Sequence, residues 1–404
     1  PHPDVVGHIL DPLDEDQAVR RANTVTDQQA QAAKQGPTDL PPLLDILKPE
    51  DGAVIDTPTV RVIYSVRSPT GARVERVRAM VNGRPVDAET REVSAGTRDA
   101  TRQESLEVPL PDAVAGPTNI TLFAETATRT SDAAVVQVDV KGAGASATPD
   151  KPDLYALVVG VASYRDPGID DLTYPAQDAR DVERLLTAQD GGLYGNVTVR
   201  LCVEDGATAG AVIDGLDWLE ANVGRGDVGV VFLAGHGTND QRGLYYLVTH
   251  DTDPKSLRRS GVSQDILRET VMGLKGKAVL FVDTCYSGNA IGTAQRGGQG
   301  GLAGPALNRL ASELSSAENG AVVFAGSTGS TLAQESSAWA NGAFTEALVK
   351  GVSGPADLWN EGVVKVTDLE SWLGREVPRL TDNQQTPTVG KPNAIPDFPL
   401  FAVR

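Results

Sequence analysis

The sequence predicts an α/β domain, built as a three-layer α/β/α sandwich on a mostly parallel sheet, preceded by an all-β sandwich. Three observations predict it. From about residue 154 onward, apolar runs of strand length alternate with segments of helical period. Those runs are apolar throughout, as in strands covered on both faces. Between residues 42 and 141 the period is two instead, and turn signals separate the runs.

At 404 residues the chain exceeds one ordinary domain. Residues 1–41 are polar, rich in Ala, Gln and Asp, and read as a connector or arm. Asp14 to Lys34 could wind into a helix, but its apolar stripe is thin. In "PTVRVIYSVRSP", Val60, Val62, Tyr64 and Val66 alternate with Arg61, Ile63, Ser65 and Arg67. Asn82-Gly83 in "VRAMVNGRPV" stands between two short apolar runs and predicts a hairpin turn. "ESLEVPLP", "TNITLFAET" and "AAVVQVDV" continue the pattern. Such spacing predicts a sandwich of immunoglobulin type over 42–141, here without a Cys–Trp–Cys core. The small-residue and proline stretch 142–153, "GAGASATPDKPD", reads as a linker.

The third unit, 154–404, opens on "YALVVGVASY" (155–164), a predicted strand. A helix follows from Pro175, with Ala179, Val182, Leu185 and Leu186 on one face. Strands are predicted at 196–204, 227–237, 277–285 and 320–328. Helices are predicted at 208–223, 263–274, 306–317 and 342–351. "TDLESWLGREVPRL" opens with Thr367 and Glu370 in capping-box spacing.

Composition removes several functions. A net charge of −18 argues against a nucleic-acid footprint, which needs clustered Lys and Arg, and suits cationic peptide segments as partners. No apolar run approaches the ~20 residues of a membrane span, and no secretory leader is visible. Two cysteines rule out a disulfide framework, so a reducing, cytoplasmic setting is expected. The first residue is Pro1, and we expect a portion of a longer chain.

Ligands of open α/β sheets bind beyond the carboxyl ends of the strands. Two predicted strands end there in scarce residues. "LAGHGTND" carries His236, one of four histidines, and "VDTCYSGN" carries Cys285 about 50 residues on. On adjacent strands, roughly 5 Å apart, both would emerge on one rim. An imidazole beside a thiol can take its proton and generate the nucleophilic thiolate. Neighbouring glycines would let a peptide approach, and the amides of Gly237 and Cys285 would hold a developing oxyanion. Cys202 lies between valines in "VTVRLCVED" and reads as core. No third residue to orient the imidazole is evident; Asp240 and Asp251 are nearby carboxylates without a motif.

These stretches resemble the caspase-like cysteine peptidases, in particular their metacaspase and prokaryotic orthocaspase branch. The likeness rests on "YALVVGVASY", "LTYPAQDARDVERLL", "GVVFLAGHGT", "AVLFVDTCYSG", "VVFAGSTG" and "GAFTEALVKG", and spans about 153–403. Asp-Thr-Cys stands where eukaryotic caspases have Gln-Ala-Cys. The resemblance implies a cysteine endopeptidase with His236 as general base and Cys285 as nucleophile. That family works typically as a dyad.

Asp283 lies two residues before Cys285 and shares its side of the strand. Asp178 stands in the first turn of the helix after the first strand, on the same rim. Two carboxylates beside a nucleophile would select a cationic side chain, so cleavage after Arg or Lys is expected. The resemblance points the same way. Ser327 is expected along the substrate groove. The sequence itself requires no cofactor. The resemblance leaves calcium open, with Asp251 and Asp253 as oxygen donors, although a hard-cation site needs about six. Arg296, in the Gly-rich run 289–305, is a candidate self-cleavage site. The resemblance further implies an upstream sensor domain or partner subunit. Two competing readings are a catalytically quiet scaffold of the same fold and another thiol hydrolase such as a deamidase. Retention of both His236 and Cys285 disfavours the first, and the paired aspartates the second.

Overall fold

The computed structural model of the chain describes residues 40–86, 101–110, 116–141, 151–240, 242–286, 310–312, 314, 321–327, 333–392, 395 and 397–403. The predicted helix over Asp14 to Lys34, Arg296 and most of 306–317 lie outside them. Among the described residues no helix is long and apolar enough to cross a membrane.

The amino-terminal unit holds β1 (Leu43–Lys48), β2 (Ala53–Ile55), β3 (Thr59–Arg67), β4 (Arg76–Val81), β5 (Arg84–Pro85), β6 (Arg102–Pro109), β7 (Gly116–Glu125) and β8 (Ala134–Val140). They form two sheets, ordered β1-β3-β6 and β2-β8-β7-β4-β5. The period of two explains their packing. Val60, Val62, Tyr64 and Val66 turn inward and meet Val77, Ile120, Leu122 and Val138 of the second sheet. The β4–β5 hairpin turns at Asn82 (φ 50°) and Gly83 (φ 79°), the two left-handed residues of a type I′ turn.

The second unit begins at β9 (Leu154–Gly160) and α1 (Pro175–Thr187), then β10 (Val197–Val203), α2 (Ala209–Asn222), β11 (Val228–Asn239), β12 (Tyr245–Leu247) and β13 (Val262–Ser263). α3 (Gln264–Gly273), β14 (Lys277–Tyr286) and β15 (Ala321–Ala325) follow. The last elements are β16 (Glu335–Ser336), β17 (Asn341–Gly342), α4 (Ala343–Val352), β18 (Val363–Lys365), α5 (Val366–Leu380), β19 (Thr388–Gly390) and β20 (Pro399–Ala402). The central order is β10-β9-β11-β14-β15-β19, parallel except for β19, with β12 and β13 extending antiparallel from β11. One face packs on α2 and α3 through Val212, Leu216, Leu267 and Val271. The other packs on α1, α4 and α5 through Val182, Phe344, Leu348 and Leu373. The central strands are buried on both faces, hence their unbroken apolar runs. β10 is an edge strand, so its exposure alternates, and Cys202 there is half-buried against the core.

Two helix starts follow side-chain caps. Thr208 Oγ1 accepts from Ala211 N, and Ser263 Oγ accepts from Ile266 N. The capping box expected on Thr367 and Glu370 does not form. The helix starts earlier, at Val366, and Asp368 accepts from the amide of Lys365. Thr367 is drawn away by Asp397, whose carboxylate accepts from both its amide and its hydroxyl.

Candidate active site

The chain leaves β9 towards β10 on one side, then crosses to β11 on the other. The sheet therefore reverses direction between β9 and β11, and the carboxyl end of that junction is a topological switch point. A pocket opens there, lined by Leu172, Pro175, Asp178, Gly235, Asp283, Ala333, Gln334, Glu335 and Gly342. Three of these are acids and none is basic.

His236 and Cys285 are direct register partners in the parallel β11–β14 ladder. For Cys285 the backbone is described; its side chain lies outside the described set. The imidazole of His236 is 5% exposed. Its Nε2 lies 2.9 Å from the carbonyl oxygen of Asp170. A carbonyl only accepts, so Nε2 carries the proton and donates. The neutral ring then keeps its lone pair on Nδ1. That Nδ1 is buried without a hydrogen-bond partner among the described residues. Tyr164 braces the ring: it stacks at 5.0 Å between centroids, and its hydroxyl accepts from His236 N at 2.9 Å while donating to Val161 O. Burial pulls the His236 pKa below the ordinary value, against the Asp170 carbonyl and the charges of Asp170 and Asp171. The ring is thus a neutral, oriented proton acceptor.

The orienting group is a backbone carbonyl, so neither carboxylate candidate is used. Asp240 accepts from Arg242 and the amide of Leu244. Asp251 accepts from Ala209 N at the start of α2 and from Thr249 Oγ1. Asp253 accepts from Lys255 N. Among the described residues no group of three or more His, Cys, Asp or Glu is placed to hold a metal ion.

Asp178 and Asp283 come together as expected. Asp178 is buried on α1, and its Oδ1 accepts from Gly342 N at 2.9 Å. Asp283 is buried on β14, and its Oδ2 accepts from Thr345 Oγ1 at 3.1 Å. Its Oδ1 is buried without a hydrogen-bond partner among the described residues. A β-carbon on Gly342 would stand 3.0 Å from Asp283 Oδ2 and 3.2 Å from Asp178 Oδ2. Burial raises Asp178 to about 8, helped by the charge of Asp283 and opposed by the Gly342 amide. Burial raises Asp283 to about 6, opposed by Thr345. A third carboxylate, Glu335 on β16, stands at the exposed mouth, raised by burial and held back by the amides of Tyr174 and Thr173. Residue spacing gave no signal for it, because a hairpin beyond the sheet brings it in.

The glycines flanking His236 answer to internal packing. Gly235 has φ +144°, and a β-carbon there would meet Val161 O at 3.1 Å. One on Gly237 would stand 2.6 Å from the Tyr245 ring. Tyr245 in turn shares a 3.0 Å hydrogen bond with Thr284 Oγ1, next to Cys285. Ser327 lies 1% exposed in the bend after β15, beside Gly326 and outside the pocket lining.

The domain is thus an α/β/α sandwich with a His and a Cys in register at adjacent strand ends. The chain belongs to the caspase domain family, Peptidase C14, which matches residues 153–393. Among solved structures, protein GSU0716 from Geobacter sulfurreducens is 19% identical, covering 62% of this chain and 99% of its own, with a TM-score of 0.44. A structure described as pro-sf-caspase-1 is 12% identical, covering 59% of this chain and 87% of its own, with a TM-score of 0.36. The fibronectin(III)-like modules of Clostridium thermocellum CbhA are 17% identical, covering 26% of this chain and 49% of their own, with a TM-score of 0.19. No curated relative matches the sequence.

Proposed function

We propose that the chain is a cysteine endopeptidase of the metacaspase or orthocaspase type that cuts after Arg or Lys. His236 Nδ1 takes the thiol proton of Cys285, and the thiolate attacks the scissile carbonyl. The amides of Gly237 and Cys285 are the proposed donors to the oxyanion. Asp178 and Asp283 receive the cationic side chain before the cut, and Ser327 is the proposed residue along the substrate groove. One observation carries the specificity: two buried carboxylates converge in a pocket whose lining, among the described residues, contains no base. Such a pocket is costly to hold charged until a cation enters it.

Control is placed outside the described residues. Arg296 fits the same specificity and is the proposed self-cleavage site, and an upstream sensor is the proposed activator. The proposed setting is cytoplasmic, in line with only two cysteines in the sequence. Calcium stays a variable of the test.

Fluorogenic peptides with Arg, Lys or Asp before the cut test the reading, with wild type and Cys285→Ala, with and without calcium. Cleavage after Arg or Lys, abolished by Cys285→Ala, is expected. Cleavage after Asp would overturn the pocket argument. Turnover that survives Cys285→Ala would overturn the dyad.

A further inference from the structure

Gln385 lies in the turn after α5, fully buried, and both ends of its side-chain amide are used. Its Nε2 donates to Gly326 O at 2.8 Å, and its Oε1 accepts from Gln334 N at 2.8 Å. Its own amide donates to Thr381 Oγ1 at 3.1 Å, and that hydroxyl donates to Val377 O in the last turn of α5. The two backbone groups it joins belong to two walls of the carboxylate pocket, one beside Asp283 and one leading to Glu335. Gly326 follows β15, and a β-carbon on it would stand 2.7 Å from Asp283 Oδ1. Gln334 lines the pocket and leads into Glu335 on β16.

These walls are not neighbours in one ladder. β16 pairs with β17, and β15 pairs with β14 and β19. A primary amide offers a strong donor and a strong acceptor from one rigid plane. We infer that Gln385 is a positioning residue that fixes the separation of the Asp283 and Glu335 walls and so the fit of a cationic side chain between them. The inference rests on the pocket being the site for Arg or Lys. Gln385 itself touches no reacting atom. It acts through Gly326 and Gln334.

Calorimetric titration of the full chain with benzamidine, a small amidinium cation, and with neutral benzamide reads the pocket without turnover. Wild type is expected to bind benzamidine and not benzamide. Gln385→Met keeps the length and loses both hydrogen bonds, and benzamidine binding should weaken about tenfold. In peptide assays KM should rise while kcat stays within about twofold, and alkylation of Cys285 by iodoacetamide should keep its rate. Wild type that binds both probes alike, or neither, overturns the basic pocket and the inference with it. Wild type that discriminates while Gln385→Met binds benzamidine unchanged overturns the inference alone. So does a parallel loss of kcat and alkylation rate, which marks a purely structural role. If Gln385→Met fails to fold, Thr381→Val unties the backbone of Gln385 and should raise KM in the same direction; an unchanged KM is then the overturning result.

Discussion

The carboxylates of Asp178 and Asp283 arrive from a helix and a strand far apart in sequence and close on one point above Gly342. Among the described residues, no cation in the pocket lining balances either of them. Burial and mutual repulsion make the charged pair unfavourable, and the pair shares protons through the neutral range.

This makes folding stability depend on pH. Both carboxyls hold a proton more tightly folded than unfolded. Their contribution is complete below the unfolded value near 3.8 and is lost as pH rises through about 6 for Asp283 and about 8 for Asp178. The thermal midpoint of the free protein should therefore fall from mildly acidic to mildly alkaline pH. Asp178→Asn keeps an oxygen for the Gly342 amide and removes the charge. It should flatten the profile and raise the midpoint above neutrality by about 1–2 kcal/mol of stability. Differential scanning calorimetry across the range checks the sign, and a midpoint that climbs with pH contradicts it.

Substrate binding should show the complementary dependence. A cationic side chain needs the pocket deprotonated, so KM for an Arg peptide should fall as pH rises from about 6 to about 8. Burial lowers the His236 pKa below its ordinary value, so kcat should depend on pH in this range less steeply than KM does. Steady-state kinetics on one Arg peptide separates the two. A kcat that follows the pocket titration would place the titrating group in the chemical step.

Much of this was legible in the sequence because it is local or periodic. Apolar runs gave the central strands, the Asn82-Gly83 pair gave the hairpin, and strand ends gave His236, Cys285 and Asp283. The spacing of Asp178 from the first strand placed it on the same rim. The remainder depends on groups without a residue signature. The Asp170 carbonyl orients His236, and any residue type supplies a carbonyl. Glu335 and Gln385 arrive by tertiary packing of a short hairpin and a helix end. Tyr164 closes the apolar stretch 155–164, but its stacking on His236 needs the fold of the loop after β9. The glycines around His236 suggest room for substrate, and the structure fills that room with Val161 and Tyr245.

Gly342 offers a sharp test of the pocket. Its backbone angles suit any residue, with φ −68°, so the constraint is space alone. A methyl group there would press on both carboxylates, and neither can retreat. Asp178 is tied to the Gly342 amide, and Asp283 to Thr345. Gly342→Ala should raise KM for Arg peptides by about tenfold or more while the protein still folds. Alkylation of Cys285 by iodoacetamide should change little. A variant with wild-type KM would show that the carboxylates do not receive the substrate.

Arg84 marks the opposite end of the sheet. It follows the Asn82-Gly83 turn of the sandwich and is buried against the peptidase domain, where its Nη1 donates to Val271 O at 2.9 Å and Leu274 O at 3.3 Å. These carbonyls close α3, a favourable place for a cation. The remaining Nε and Nη2 are buried without hydrogen-bond partners among the described residues, and burial pulls the guanidinium down to about 9. Lys277 is depressed as well, first by burial and then by the charge of Arg84. Desolvation thus outweighs the two carbonyl bonds, and an apolar side chain of similar length should be tolerated. Arg84→Met should leave the thermal midpoint nearly unchanged or slightly higher. Arg84→Ala should cost about 2–3 kcal/mol, because it opens a cavity between the domains. Gly229, at the start of β11, packs against Leu274, so this contact lies under the amino ends of the strands, away from His236. Both variants should therefore keep the kcat and KM of wild type. Loss of stability in Arg84→Met as large as in Arg84→Ala would show that the charge, rather than the filled volume, holds the two domains together.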